Sequence, residues 1–414
     1  VRKQVTRAAT KLLLALLLLT VFPLQPTQAA ASVQFHDLAA AVDFPERIVF
    51  TLEVQATQPI QRVELRYRPL LGAVTFVARP HITPAPALSV RYERDMRVNY
   101  LPPGIDLTYR WRVIFADGSW VDSPARTLRY LDDRYQWVQR VSGPVELYSA
   151  VTDAQYLEQA LTITTRSIAD FSQRFGVELE RPVRVLLYPS PEALRSALPL
   201  QSEEWIGGLA LPEYGLVLAG IAPGIGAEEE LARILSHEVL HLVIARATDN
   251  PFTTPPAWLD EGLATAYQMA DDPRLDAVLE RARRSGKLPS LRALGSGFGT
   301  DPEAALLGYA ASRSVVEYLV ATYGEEGVAR FLAAYREGVT DDEALEWSLG
   351  LSVDELDRSW KAWLAERAAT QEGSRAAAAV VLGVAALAAV VALWRGSRGS
   401  WRYPQATMRS DGHS

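Results

Sequence analysis

The sequence predicts a multidomain protein: an N-terminal all-β sandwich, an α+β domain after it, and a single C-terminal transmembrane helix. Three observations lead there. Between residues 33 and 137 apolar and polar residues alternate in short runs, the period of half-buried strands. From Asp153 onward the apolar spacing is mostly that of helices, with a few strand-like runs between them. Near the C-terminus, Ala376 to Trp394 runs for nineteen residues without a charge. As a helix it rises about 28 Å, close to the bilayer core.

Composition narrows the function classes. A chain of 414 residues has room for two or three domains, and 49% hydrophobic with 22% charged residues is ordinary for globular protein. The absence of cysteine excludes a disulfide framework, a thiol nucleophile and a cysteine-type zinc site. A formal net charge of -7 gives no sign of a nucleic-acid partner.

Residues 1–31 read as a secretory signal peptide. Arg2, Lys3, Arg7 and Lys11 form its basic start, Leu12 to Phe22 its apolar centre, and Ala29 to Ala31 the small residues for cleavage. Val1 reads either as a start codon other than ATG, which points to a prokaryote, or as a truncated start. Within 32–137, Arg47–Val54, Gln61–Arg68 and Leu107–Ile114 alternate as strands, while Ala116-Asp117-Gly118 has hairpin-turn chemistry. An immunoglobulin or fibronectin III-like module is the expectation. His36 and His81 stand isolated there and read as structural or surface residues.

The second domain is expected over 148–368. It opens with a long helix from Asp153 to Phe175, then a buried strand from Pro182 to Tyr188. Gly207–Leu211 and Gly215–Ala219 read as two strands around Pro212-Glu213-Tyr214. One of them is expected to form an exposed sheet edge, where an extended chain can add as a further strand. Glu228-Glu229-Glu230 then gives an acidic first turn to a helix with apolar residues at Leu231, Ile234, Leu235, Leu242 and Val243, and Arg246 near its end. That helix carries His237-Glu238-Val239-Leu240-His241. Residues four apart lie one turn above each other on one helix face, so both imidazoles can point at one metal ion. Glu238 lies beside that ion, placed to take a proton from water. A further helix is expected from Thr254 as N-cap, with Pro255-Pro256 in its first turn. It offers Asp260 and Glu261 as candidates for a third ligand. Neighbouring helix positions point about 100° apart, so one of the two faces the ion.

The stretch Ser236-His237-Glu238-Val239-Leu240-His241, followed by Ala257-Trp258-Leu259-Asp260-Glu261-Gly262-Leu263-Ala264, resembles the gluzincin branch of the zinc metallopeptidases, and more narrowly the peptidase MA-like domain of bacterial envelope proteins. The resemblance continues through Gly308-Tyr309-Ala310-Ala311-Ser312-Arg313-Ser314 and covers roughly residues 150–368. It implies one Zn2+ per chain, held by His237, His241 and Glu261, with Glu238 as general base for peptide-bond hydrolysis and a peptide or protein as substrate. Such enzymes commonly add a Tyr or His that stabilises the oxyanion. No histidine follows His241 before His413, so Tyr309 is the first candidate and Tyr267 the second. Arg313, one turn after Tyr309, is a candidate for a substrate carbonyl or carboxylate. A retired peptidase that serves as an envelope binding or scaffold module is the alternative.

The remaining segments are mostly helical: Leu275–Ser285, Glu303–Tyr323, Glu325–Glu337, Asp341–Leu349 and Ser352–Arg367, the last opened by a Ser352/Glu355 capping box. Gly286 to Thr300 contains four glycines and reads as a loop, either over the cleft or merely connecting. After Trp394, Arg395, Arg398, Arg402 and Arg409 make 395–414 a basic cytoplasmic tail. The expected topology is an exported catalytic domain anchored to the cell membrane by one span.

Overall fold

A computed structural model describes residues 32–199 and 207–398. The expected signal peptide and the tail beyond residue 398 lie outside the described residues. The chain divides into two compact units with the boundary after Arg134.

The first unit is β-rich, as the alternation predicts. The two expected strands Arg47–Val54 and Gln61–Arg68 are halves of a single strand, β3 (Arg47–Pro69). Its first half pairs with β1 (Val33–Asp37), β2 (Ala40–Asp43) and β5 (Ala85–Asp95). Its second half pairs with β4 (Phe76–Ala78) and β6 (Asp106–Phe115). The hydrogen-bonded sheet is therefore continuous, in place of two separate ones. β3 nevertheless serves two layers. The Phe50 and Tyr67 rings stack at 5.6 Å, although seventeen residues of straight strand would hold them ~56 Å apart. The fold-over lies where the pairing register shifts, between Gln55 and Ile60, since bulges bend the strand that carries them. Ile48, Phe50, Leu52, Ile60, Leu65 and Trp111 fill the space between the layers. The expected turn at Asp117-Gly118 joins β6 to β7 (Trp120–Asp122).

The second unit is α+β. Its five-stranded sheet has the order β12 (Gly208–Leu211), β13 (Leu216–Gly220), β11 (Val183–Tyr188), β10 (Val145–Ser149), β9 (Val138–Ser142). β10, β11 and β13 run parallel. β9 and β12 close the two edges antiparallel. Helix α1 (Ala154–Phe175) starts on the side chain of Asp153, which accepts the Tyr156 N–H. It buries Leu157, Leu161, Ile168 and Phe171 in one core with Leu235, Val239 and Val243 of α3 (Ala227–Ala247). The short α2 (Pro191–Arg195) lies between β11 and β12 in the chain.

Helix α4 (Ala257–Tyr267) departs from expectation at its start. Pro256 is the N-cap and has extended backbone, φ −64° and ψ 150°, so Thr254 caps nothing and the two prolines precede the helix. A residue before proline is held extended, which keeps Pro255 out of the helix. The free Ala257 N–H goes instead to the Gly295 carbonyl, 2.9 Å away. Helices α5 (Arg274–Arg284), α6 (Pro302–Ala334, broken at Gly324), α7 (Asp341–Leu349) and α8 (Val353–Arg398) follow. The Ser352/Glu355 capping box is present at the start of α8.

The transmembrane expectation at Ala376–Trp394 is corrected. Among the described residues, no helix is long and apolar enough to cross a membrane. The single-span anchor and the membrane as a partner, which rested on this segment, fall with it.

Candidate metal centre

The motif helix α3 is buried on most sides. Leu231, Leu235, Val239, Leu240 and Val243 are inaccessible to solvent, which fixes its rotation and turns His237 and His241 to one face. Their ring centroids are 4.9 Å apart. Helix α4 crosses that face and presents Glu261. Its Oε2 lies 3.3 Å from His237 Nε2 and 3.6 Å from His241 Nε2. One atom from each of the three residues falls within 4.8 Å of the others, so the group can hold a metal ion.

Two observations bear on whether these residues suit a cation. Glu261 Oε2 is buried and has no hydrogen-bond partner, a costly state for a carboxylate oxygen that an ion would relieve. The electrostatics agree. Burial works against a charged His241, but Asp260, Glu261 and Glu238 outweigh it and push the imidazole pKa up to about 10. A surplus of negative charge that retains a proton there favours a divalent cation in the same place. For Glu261 the balance has the opposite sign: burial raises its pKa, and the adjacent His237 and His241 imidazoles bring it below the ordinary carboxylate value. Two nitrogens and one oxygen are a donor set that suits zinc.

Asp260 and Glu261, between which the sequence left the choice open, face different nitrogens of His241. Asp260 Oδ1 sits 3.0 Å from His241 Nδ1, on the side of the ring away from Glu261. A carboxylate only accepts, so Nδ1 carries a proton, and Nε2 is the ring nitrogen turned toward Glu261.

Glu238 points at the edge strand β12, which forms one wall of a cavity of about 790 Å³ that also contains His237, His241, Glu261 and Tyr309. Glu238 is only 8% exposed. Burial, the largest influence, raises its pKa above the ordinary carboxylate value, and Glu261 adds to this; the two imidazoles and the Ala210 N–H of β12 oppose it. The strand can approach so closely because residue 208 is glycine. A Cβ there would stand 2.6 Å from Glu238 Cγ and Oε1. Of the two strands considered as an edge, β12 is the one at the border, because β13 is paired on both sides.

Tyr309 lies on α6 with its ring centroid 6.4 Å from that of His237. Tyr267 does not join the group: its hydroxyl donates to Glu325 at 2.6 Å and the Arg174 guanidinium covers its ring. Nor does Arg313, which pairs with Asp276 and Glu317 in a different cavity, beside α5 and α8. Sequence reasoning missed Gly208 and the Ala210 N–H. Only the glycine at the start of the predicted edge strand hinted at them.

The family model of the Peptidase MA superfamily matches residues 163–366. The match supports a peptidase MA-like domain in that stretch and points to a peptidase-like enzyme. No curated protein matches the chain. Among solved structures, it is similar to catalytically inactive OgpA from Akkermansia muciniphila in complex with the O-glycopeptide glycodrosocin, at 15% identity over 27% of this chain and 33% of that one, with a TM-score of 0.21. Wild-type OgpA from the same organism is similar at 14% identity over 24% and 28% of the two chains, TM-score 0.20. A Br derivative of BhCBM56 is similar at 12% identity over 23% of this chain and 97% of that one, TM-score 0.17. The chain thus spans about a third or less of the OgpA structures.

Proposed function

We propose that this protein is a zinc-dependent peptidase of the gluzincin type. The convergence of His237, His241 and the partnerless Glu261 Oε2 carries the reading, and the family match over the same residues supports it. A bound zinc ion supplies Lewis acidity and lowers the pKa of a water toward neutrality. The protein does the rest. Asp260 orients His241 through Nδ1. Glu238, its pKa raised by burial, takes a proton from water and passes it to the leaving amine. Tyr309 directs its hydroxyl to the carbonyl oxygen as charge develops there. β12, at the border of the sheet among the described residues, offers its outer edge to an extended substrate backbone.

The experiment is a metal titration of turnover. Protein stripped by chelator is inactive toward a mixed peptide library and regains full turnover at one equivalent of zinc. Zinc bound at one per chain without any cleavage would favour the binding or scaffold module instead.

Asp260→Asn tests the orienting role. The amide can present its NH2 to Nδ1 and reverse the tautomer, so zinc affinity falls ~10- to 100-fold, read by competition with a chromophoric chelator. Unchanged affinity would remove Asp260 from the site.

A further inference from the structure

The glycine-rich segment 286–300 carries a feature that the proposed mechanism does not use. Phe298 stands between Gly297 and Gly299, which have φ of 108° and 76°, a region that residues with a Cβ rarely enter. The backbone therefore turns on both sides of Phe298 and presents its ring toward α6. Residue 308 of α6 is glycine, and a Cβ there would lie 2.3 Å from Phe298 Cγ and 2.8 Å from its Cβ. These are atoms near the Phe298 backbone, so the ring seats on the helix only because Gly308 has no side chain. From that seat Phe298 meets the next residue, Tyr309, edge to face, with centroids 4.9 Å apart and planes at 81°. Tyr309 in turn faces His237. The segment is tied to the metal centre at its other end as well, where the Gly295 carbonyl accepts the first N–H of the helix that holds Glu261.

We propose that Phe298 is a positioning residue that acts through Tyr309, with Gly308 as its seat. The proposal rests on Tyr309 acting on the substrate as described above. Without the Phe298 ring, Tyr309 gains room on the side that ring covers, and its hydroxyl spends less time where the carbonyl oxygen needs it. Misplacement of a catalytic group by about 1 Å can cost ~10²-fold; partial freedom of one ring costs less.

The test compares zinc-loaded full-length variants in peptide turnover. Phe298→Ala lowers kcat about tenfold with KM changed less than about twofold, and Phe298→Tyr, which keeps the ring, restores it. In a Tyr309→Phe background the same Phe298→Ala change costs nothing further, because the group it positions is already gone. Gly308→Ala matches Phe298→Ala; should it fail to fold, the Phe298 variants decide alone. An independent readout is the ring signal of Tyr309 in protein with 13C-labelled tyrosine, assigned by its loss in Tyr309→Phe. It shifts in Phe298→Ala with and without zinc. An unchanged ring signal, an undiminished loss in the Tyr309→Phe background, or a Tyr309→Phe variant as fast as wild type each overturns the proposal. If the wild type turns over peptide and Tyr309→Phe slows it while Phe298→Ala does not, the Phe298 assignment fails and the peptidase reading stands. If zinc-loaded wild type cleaves nothing, both fail.

Discussion

Glu238→Gln lowers kcat by ~10²- to 10⁴-fold, the range of general-base catalysis, and leaves zinc bound at one per chain. Glutamine matches glutamate in size and still accepts the Ala210 N–H through its amide oxygen, so β12 keeps its place. It cannot take a proton. The ligand atoms of His237, His241 and Glu261 are untouched. Metal analysis beside turnover separates the two outcomes. A variant that loses both would show that Glu238 supports the fold of the centre, and one that loses neither would remove it from the chemistry.

The second large effect belongs to His237→Ala. It deletes one of the three proposed ligands and leaves Glu261 with only His241 beside it. Zinc affinity falls by at least ~10²-fold, more than for loss of an outer partner, and turnover disappears at stoichiometric zinc. The fold survives, because His237 lies on the cavity face of α3 while Leu235, Val239 and Val243 hold the helix in the core. The check pairs zinc stoichiometry with thermal unfolding in the presence of chelator, where wild type and variant melt together. Retained zinc would move the centre elsewhere.

Much of the site was legible because it follows helix geometry. Two histidines at i and i+4 share a face wherever a helix forms, and the acidic start, apolar stripe and terminal arginine of 227–247 all indicated one. The choice between Asp260 and Glu261 was not legible from spacing alone. It depends on how α4 is rotated against α3, and both residues were placed only when that contact was seen. Phe298 was invisible for a related reason: its seat, Gly308, is ten residues further along the chain, and no periodicity links the two. In the first unit Pro59 lies in the gap between the two expected strands, Arg47–Val54 and Gln61–Arg68. The strand continues because Pro59 falls in the stretch between Gln55 and Ile60 where pairing with β5 lapses, and a missing N–H costs little there.

The continuity of β3 also bears on how the first unit comes apart. A sandwich of two independent sheets can lose one sheet while the other persists. Here the same strand is hydrogen-bonded at one end to β5 and at the other to β6, so removing either neighbour frays the backbone that the opposite layer depends on. The expected result under denaturant is a single transition for this unit, with the two layers lost together.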